Sequence, residues 1–229
     1  MQRFACLRKI SSKANVMLKL WGRKNSSNVK KVMWVCAELG IPYERIDAGL
    51  HFGITTTDEF REKNPNGIIP VLDDDGFILW ESNAIMRYLC AKHPKAPFWP
   101  ENPQLRASAD RWMDWQLTTL GPPIGPALIQ LVRSPQEQWD MKMLSANIPK
   151  AAQNWTIIDR QLGKTQWLTG DDFTVGDIPA AILAYTWFEM PLAKAGLDQH
   201  RVPMKNVDRW YAQLNAMPNY REIVAIGLT

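Results

Sequence analysis

Residues 64–83, NPNGIIPVLDDDGFILWESN, decide the fold of this chain: a turn, two strands and a helix start succeed one another, each with a backbone reason. The Asn64-Pro65-Asn66-Gly67 turn leads into the apolar run Ile68 to Leu72. Pro70 within that run has no N–H to give to a ladder, so it belongs at a strand entrance or edge. Asp74-Asp75-Gly76 reads as a hairpin turn, and Phe77 to Trp80 as the returning strand. Glu81-Ser82-Asn83 then opens a helix in which Ile85, Tyr88 and Leu89 recur at helical spacing. A carboxylate, a hydroxyl and free backbone donors thus gather at the positive end of a helix, a place that can hold an anion. Taken singly, Ser82 reads equally as a plain helix cap and Pro70 as a plain strand end; the ordered string carries more than either.

That order of proline, strand, acidic turn, strand and Glu-Ser resembles the glutathione-binding half of the cytosolic glutathione transferases. The resemblance implies a cis bond at Ile69-Pro70, so that the main chain of Ile69 pairs in antiparallel fashion with the cysteinyl backbone of glutathione. It also implies that Glu81 and Ser82 receive the γ-glutamyl end, with the Ser82 hydroxyl and N–H taking the carboxylate.

Upstream, a short apolar strand (Met17 to Trp21), a polar loop (Gly22 to Ser27) and an amphipathic helix carrying Val29, Val32, Met33, Cys36 and Leu39 make a βα unit of thioredoxin-like character. Thiol-disulfide members of that superfamily place a cysteine at the helix start. Here the loop reads Arg23-Lys24-Asn25-Ser26-Ser27-Asn28, so the reactive sulfur belongs to the ligand. The loop resembles that of the serine-type, theta-like bacterial glutathione transferases, and Ser26 falls on the activating serine. Its implied role is to donate an O–H hydrogen bond to the glutathione sulfur. A free thiol titrates near a pKa of about 8.5, and such a donor favours the nucleophilic thiolate. Ser27 competes for the same role and is the better N-cap if the helix begins at Asn28; Asn28 offers a second donor from its amide. Lys30 and Lys31 read as a solvated helix face.

Tyr43 to Ile46 reads as the second strand and Asp58 to Lys63 as a short helix. His51 and Phe52 fall where relatives approach the bound tripeptide, although an exposed loop reads equally well for His51. One departure stands out. Many relatives carry Lys or Arg two residues before the cis proline, to meet a glutathione carboxylate, and this chain has Ile68.

At 229 residues and 46% hydrophobic, the chain can bury a good core and suits two small domains. No apolar run has the length of a membrane span. Cys6, Cys36 and Cys90 form neither metal-ligand spacing nor a disulfide set; the latter two read as buried thiols of a reducing cytoplasm. The net charge of +4 owes something to residues 1–16, which carry basic and no acidic side chains. That stretch reads as an N-terminal extension, disordered or transit-like, or as the product of an early start assignment, with Met17 a natural beginning. No aromatic-interleaved basic groove points to nucleic acid.

The proline-dense stretch HPKAPFWPENP, residues 93–103, reads as a linker, and everything beyond it as helical. Arg106 and Asp110 stand at i,i+4 on the first of these helices. Gly121-Pro122-Pro123-Ile124-Gly125-Pro126 is expected to break or kink the helix there. Thr174-Val175-Gly176-Asp177 has the capping-box pattern with Asp at its last position, a structural element. Trp112 and Trp115 read either as core mass or as walls of the electrophile site.

The expectation is a thioredoxin-like α/β domain with a mixed four-stranded sheet (17–94), a linker (95–103) and an all-helical substrate domain (104–229). The implied function is transfer of glutathione, as co-substrate and without a metal, to a small apolar electrophile, in a cytoplasmic homodimer serving detoxification, with no nucleic-acid or membrane partner. Two alternatives are a non-catalytic module of the same fold and a glutathione-dependent isomerase. Retention of Ser26 with Pro70, Glu81 and Ser82 favours the active enzyme.

Overall fold

The hairpin turn is built on Asp75 and Gly76, both with positive φ (55° and 87°), the conformation in which a two-residue turn matches the twist of its strands. The Asp73 carboxylate accepts the Gly76 N–H at 2.7 Å and locks it. The computed structural model describes residues 17–229; the N-terminal extension and Cys6 lie outside the described residues.

Four short strands make up the sheet: β1 (Leu18–Trp21), β2 (Tyr43–Ile46), β3 (Val71–Asp74) and β4 (Phe77–Trp80). Their order is β2-β1-β3-β4, with β2 parallel to β1 and both β3 and β4 antiparallel to their neighbours. This is the mixed sheet expected of a thioredoxin-like unit. Pro70 stands just before β3, as its missing N–H requires, and the Ile69-Pro70 bond is cis, as is Ala96-Pro97.

Helices α1 (Ser27–Leu39) and α3 (Ser82–Lys92) pack together on one face of the sheet, and α2 (Asp58–Lys63) lies near its other side, where Phe60, Ala48 and Val71 form a small second core. The rest is helical: α4 (Pro103–Trp115), α5 (Gly121–Leu128), α6 (Met141–Leu162), α7 (Ile178–Glu189), α8 (Lys205–Ala216) and α9 (Pro218–Ile223). One core cluster runs from Leu20 and Val32 of the sheet region through to Trp155, Trp187 and Trp210 of the helices. Burial on this scale, at about 25 cal/mol per Å² of apolar surface, is the main contribution holding the two regions together. Arg87 of α3 adds ion pairs at 2.6 Å to both Asp110 and Asp114 of α4. Asp110 therefore does not pair with Arg106, whose guanidinium instead stacks on Trp99.

The glycine-proline stretch does not break its helix. From Pro103 to Arg133 the chain stays helical, because two π segments, Gln116–Leu120 and Ile129–Arg133, take up the extra residues. Pro123 cannot donate to Thr119, and the carbonyl it leaves free accepts from Asn154 Nδ2 of α6 at 2.8 Å. Half of the capping box forms: the Asp177 carboxylate accepts the Thr174 N–H at 3.2 Å, while Thr174 Oγ1 accepts the N–H of Gly176 at 3.2 Å and that of Asp177 goes to the Thr174 carbonyl. The same carboxylate takes the Leu168 N–H at 2.9 Å, which ties the incoming loop to α7.

Candidate active site

Two helix starts meet at the edge of the sheet. Gly22 allows the approach: a β-carbon there would stand 2.3 Å from Val29 Cγ2, so α1 can rise this close to β1 only past a glycine. The loop is then held by Arg23 N–H to Ala48 O at 3.0 Å and Ser26 N–H to Arg23 O at 3.2 Å. At the second start, Glu81 takes φ 71° and ψ 110°, a rare conformation for a residue with a side chain. Such outliers persist where the surroundings hold them, and they gather at binding sites. Glu81 delivers Ser82 to the first turn of α3, where Ser82 Oγ donates to Asn28 Oδ1 of α1 at 3.4 Å. The unpaired N–H groups of both first turns therefore lie on one side of the sheet, with the positive ends of both helix dipoles.

Ser26 occupies the N-cap position of α1, and Ser27 is the first helical residue, the reverse of the cap expected at Ser27. Ser26 is 7% exposed, yet its hydroxyl makes no capping bond. Asn28 and Ser82 thus meet at the junction of α1 and α3, with Ser26 at the N-cap two residues before Asn28 and Glu81 next to Ser82. Ile69 and Pro70 stand at the entrance to β3, and the Ile69 side chain packs beneath Gly49, where a β-carbon would come within 3.1 Å of Ile69 Cδ1. His51 and Phe52 sit in an exposed single turn, ring against ring at 4.0 Å. Ile68 is 53% exposed, and its carbonyl is held by Asn64 Nδ2 at 2.8 Å.

Lys30 and Lys31 are not solvated; both are buried. Lys30 Nζ donates to Val224 O at 2.9 Å and lies over the Tyr185 ring. Lys31 Nζ donates to Asn83 Oδ1 at 3.2 Å and to Gln116 Oε1 at 2.7 Å. Among the described residues neither forms an ion pair with a carboxylate, and burial lowers Lys30 to about 8, with help from the Arg23 charge, and Lys31 to about 7, against the pull of Glu81. The sequence held one sign of this: the pair is flanked by Val29 and Val32 in a run buried on every side.

Beside the start of α1 lies a cavity of about 220 Å³ walled by Ser27, Asn28 and Lys31, by Gln116, Leu117, Ile124 and Leu128, and by Ile182 and Leu183. Its floor is apolar and its α1 end polar. Trp112 and Trp115 are not among its walls. They form an edge-to-face pair with centroids 5.4 Å apart and pack in the core cluster, and the long helix lines the cavity through Gln116 and Leu117 of the π segment that follows α4. A larger hollow, of about 340 Å³, lies away from the serines, between the linker and the 169–174 loop. Among the described residues no cluster of His, Cys, Asp or Glu could hold a metal, and no helix is long and apolar enough to cross a membrane.

The family model for the glutathione S-transferase N-terminal domain matches residues 16–91. Glutathione S-transferase GstB of Escherichia coli K12 is 42% identical over 215 residues, a span that takes in 93% of this chain and 100% of that protein. Glutathione S-transferase F13 of Arabidopsis thaliana is 28% identical, over 93% of this chain and 96% of its own length. Among solved structures, the theta class glutathione S-transferase of Xanthomonas axonopodis pv. citri with glutathione bound superposes with a TM-score of 0.86 at 37% identity, covering 93% of this chain and 99% of that one.

Proposed function

The chain belongs to the glutathione S-transferase family, and from that premise we propose that Ser26 stabilises the thiolate of glutathione for attack on an apolar electrophile held in the cavity beside α1. The observation that carries this is the uncommitted Ser26 hydroxyl: it stands at a helix N-cap and makes no cap bond there. On this reading, the Ile69 backbone aligns the cysteinyl residue, and Glu81 with Ser82 receives the γ-glutamyl carboxylate at the α3 start. That leaves the sulfur at the α1 start, where Ser26 donates its O–H and Asn28 adds an amide donor. Hydrogen bonds to the anion, together with the positive helix end, raise the thiolate fraction at neutral pH. Catalysis then consists of supplying that thiolate and holding the electrophile within reach of it.

The division of labour matches the two regions, residues 17–94 for glutathione and 104–229 for the electrophile. Assembly as a homodimer completes the proposal; Phe77 and Trp80, exposed apolar side chains of β4, supply surface for it. The test is thermal melting with glutathione and with S-hexylglutathione, paired with thiol consumption against a panel of electrophiles. Both ligands are expected to stabilise, by roughly 2.7 kcal/mol at 100 times the dissociation constant. A melting temperature unmoved by millimolar glutathione would defeat the reading.

A further inference from the structure

Cations converge on the loop before Ser26, and no acidic side chain answers them. The segment 224–229 crosses the start of α1 and is held there from three sides: Lys30 Nζ donates to Val224 O at 2.9 Å, Asn25 Nδ2 to Gly227 O at 3.0 Å, and Arg133 Nε to Thr229 O at 2.8 Å. Lys30, the loop and Arg133, which ends the second π segment, are thereby drawn to one place. Arg23 lies innermost, only 9% exposed, and among the described residues its guanidinium donates to no acceptor. Its Nη1 is fully enclosed; Nε and Nη2 are not, so one side of the fork stays open. Lys24 and Arg133 are exposed. None of these four cations forms an ion pair with Asp or Glu among the described residues, and residues 1–16 contain neither. Their charges also act on one another: burial lowers the pKa of Arg23 and the Arg133 charge lowers it further, while Lys30 is lowered by burial and then by Arg23 and Lys24. Buried donors without acceptors, and crowded like charges, are costly unless a negative group completes them.

We propose that Arg23, Lys24 and Arg133 form a binding site for a small divalent oxyanion of the sulfate or phosphate type, with Arg23 as its floor and Lys30 adding charge from behind. A guanidinium presents N–H groups in a planar fork that matches two oxygens of such an anion. Several positive charges face it, which favours a dianion over a monoanion. The site adjoins the catalytic loop: the Ser26 N–H is bonded to Arg23 O, and the Lys30 N–H to Ser26 O. The field of the bare cluster favours a thiolate at the start of α1, so an anion that cancels it disfavours one. A bound oxyanion is therefore an inhibitor of glutathione transfer. That second step rests on the thiolate role proposed for Ser26; the binding itself does not.

The experiment melts the wild-type protein, Arg23→Met and Arg133→Met in rising sodium sulfate or inorganic phosphate, without glutathione and at an ionic strength held constant with chloride. Sulfate stabilises any fold by exclusion from its surface, so the comparison between the three proteins carries the test. Wild type is expected to show a saturable rise, roughly 3–6 °C at ten times the dissociation constant. Either substitution removes a charged donor and should weaken that affinity roughly tenfold or more. If Arg23→Met does not fold, Arg133→Met at the exposed rim carries the comparison. Equal responses in all the folded proteins, or no saturable response in wild type, would overturn the site. With glutathione bound, saturating sulfate should raise the pKa of its thiol and lower kcat at neutral pH in wild type, and do so less in Arg133→Met. Saturable binding that leaves the thiol titration unmoved would strike the inhibition and keep the site.

Discussion

Ser26→Ala separates two jobs that a serine at a helix start can do. If the hydroxyl capped α1, its removal would cost about 0.5–2 kcal/mol, which in a chain of this size lowers the melting temperature by roughly 2–4 °C per kcal/mol. The structure gives that hydroxyl no N–H to accept. The stability cost is therefore expected within about 0.5 kcal/mol, a change of at most roughly 2 °C. Activity should respond in the opposite measure. One donor to a full or developing anion is worth up to about 3–4 kcal/mol, or 100- to 1000-fold, and the Asn28 amide remains, so a loss of roughly 10- to 100-fold in kcat at neutral pH is expected. Because each 1.36 kcal/mol equals one pKa unit, the thiol of bound glutathione should titrate about one to two units higher. Steady-state kinetics, ultraviolet titration of the bound thiolate and a melting curve on one preparation give all three quantities, with Ser27→Ala as the neighbouring control. A melting temperature several degrees lower with kcat within twofold of wild type would make Ser26 a cap and refute the reasoning.

Three further outcomes rest on particular contacts. The native pKa of Lys31 is lowered to about 7 by burial, so between about pH 7 and 10 the unfolded chain holds a proton that the folded one has lost; relative to Lys31→Met, wild type should gain stability as pH rises through that window, by at most about 1.4 kcal/mol per unit in urea melts, and a pH-independent difference would contradict this. Ile68→Arg places a cation on a half-exposed site beside the Ile69 backbone and should tighten glutathione binding by up to about fivefold, an effect that added salt weakens; unchanged or weaker binding by calorimetry would mean that another group serves the carboxylate. Gly176→Ala puts a β-carbon 2.7 Å from Ala109 Cα and 2.9 Å from Thr169 Oγ1, and with backbone on one side the strain should cost about 1–3 kcal/mol in denaturant titration.

The features legible in the sequence were those that neighbouring residues decide. Asp75-Gly76 fixes its own turn, Pro70 its own strand edge, and Ser26, Glu81 and Ser82 lie in short ordered strings, so the sheet and the meeting of two helix starts could be read from the chain alone. The illegible parts depend on distant partners. Lys31 is buried because Asn83 and Gln116, 52 and 85 positions away, offer it oxygens. The helix runs through Gly121-Pro122-Pro123 because Asn154, 35 positions beyond Thr119, covers the carbonyl the prolines abandon. Trp112 and Trp115 pack into the core cluster, and the cavity is lined instead by Gln116 and Leu117, which follow them in the π segment. The N-cap moved by a single residue, from Ser27 to Ser26, a shift as small as the fraying of helix ends allows.

The two described cysteines have a bearing on how the protein survives its own chemistry. Cys36 and Cys90 sit in the packed interface of α1 and α3, and burial pushes both thiols up to about 12. At neutral pH almost no molecule then carries either sulfur as thiolate, against a few per cent for an ordinary cysteine, and the thiolate is the form that is alkylated. On the proposed function, a protein that gathers electrophiles beside α1 thus keeps these sulfurs in the unreactive, protonated form. On that reading the packing that closes the core also confers tolerance to self-alkylation, leaving the sulfur of the bound tripeptide as the preferred target.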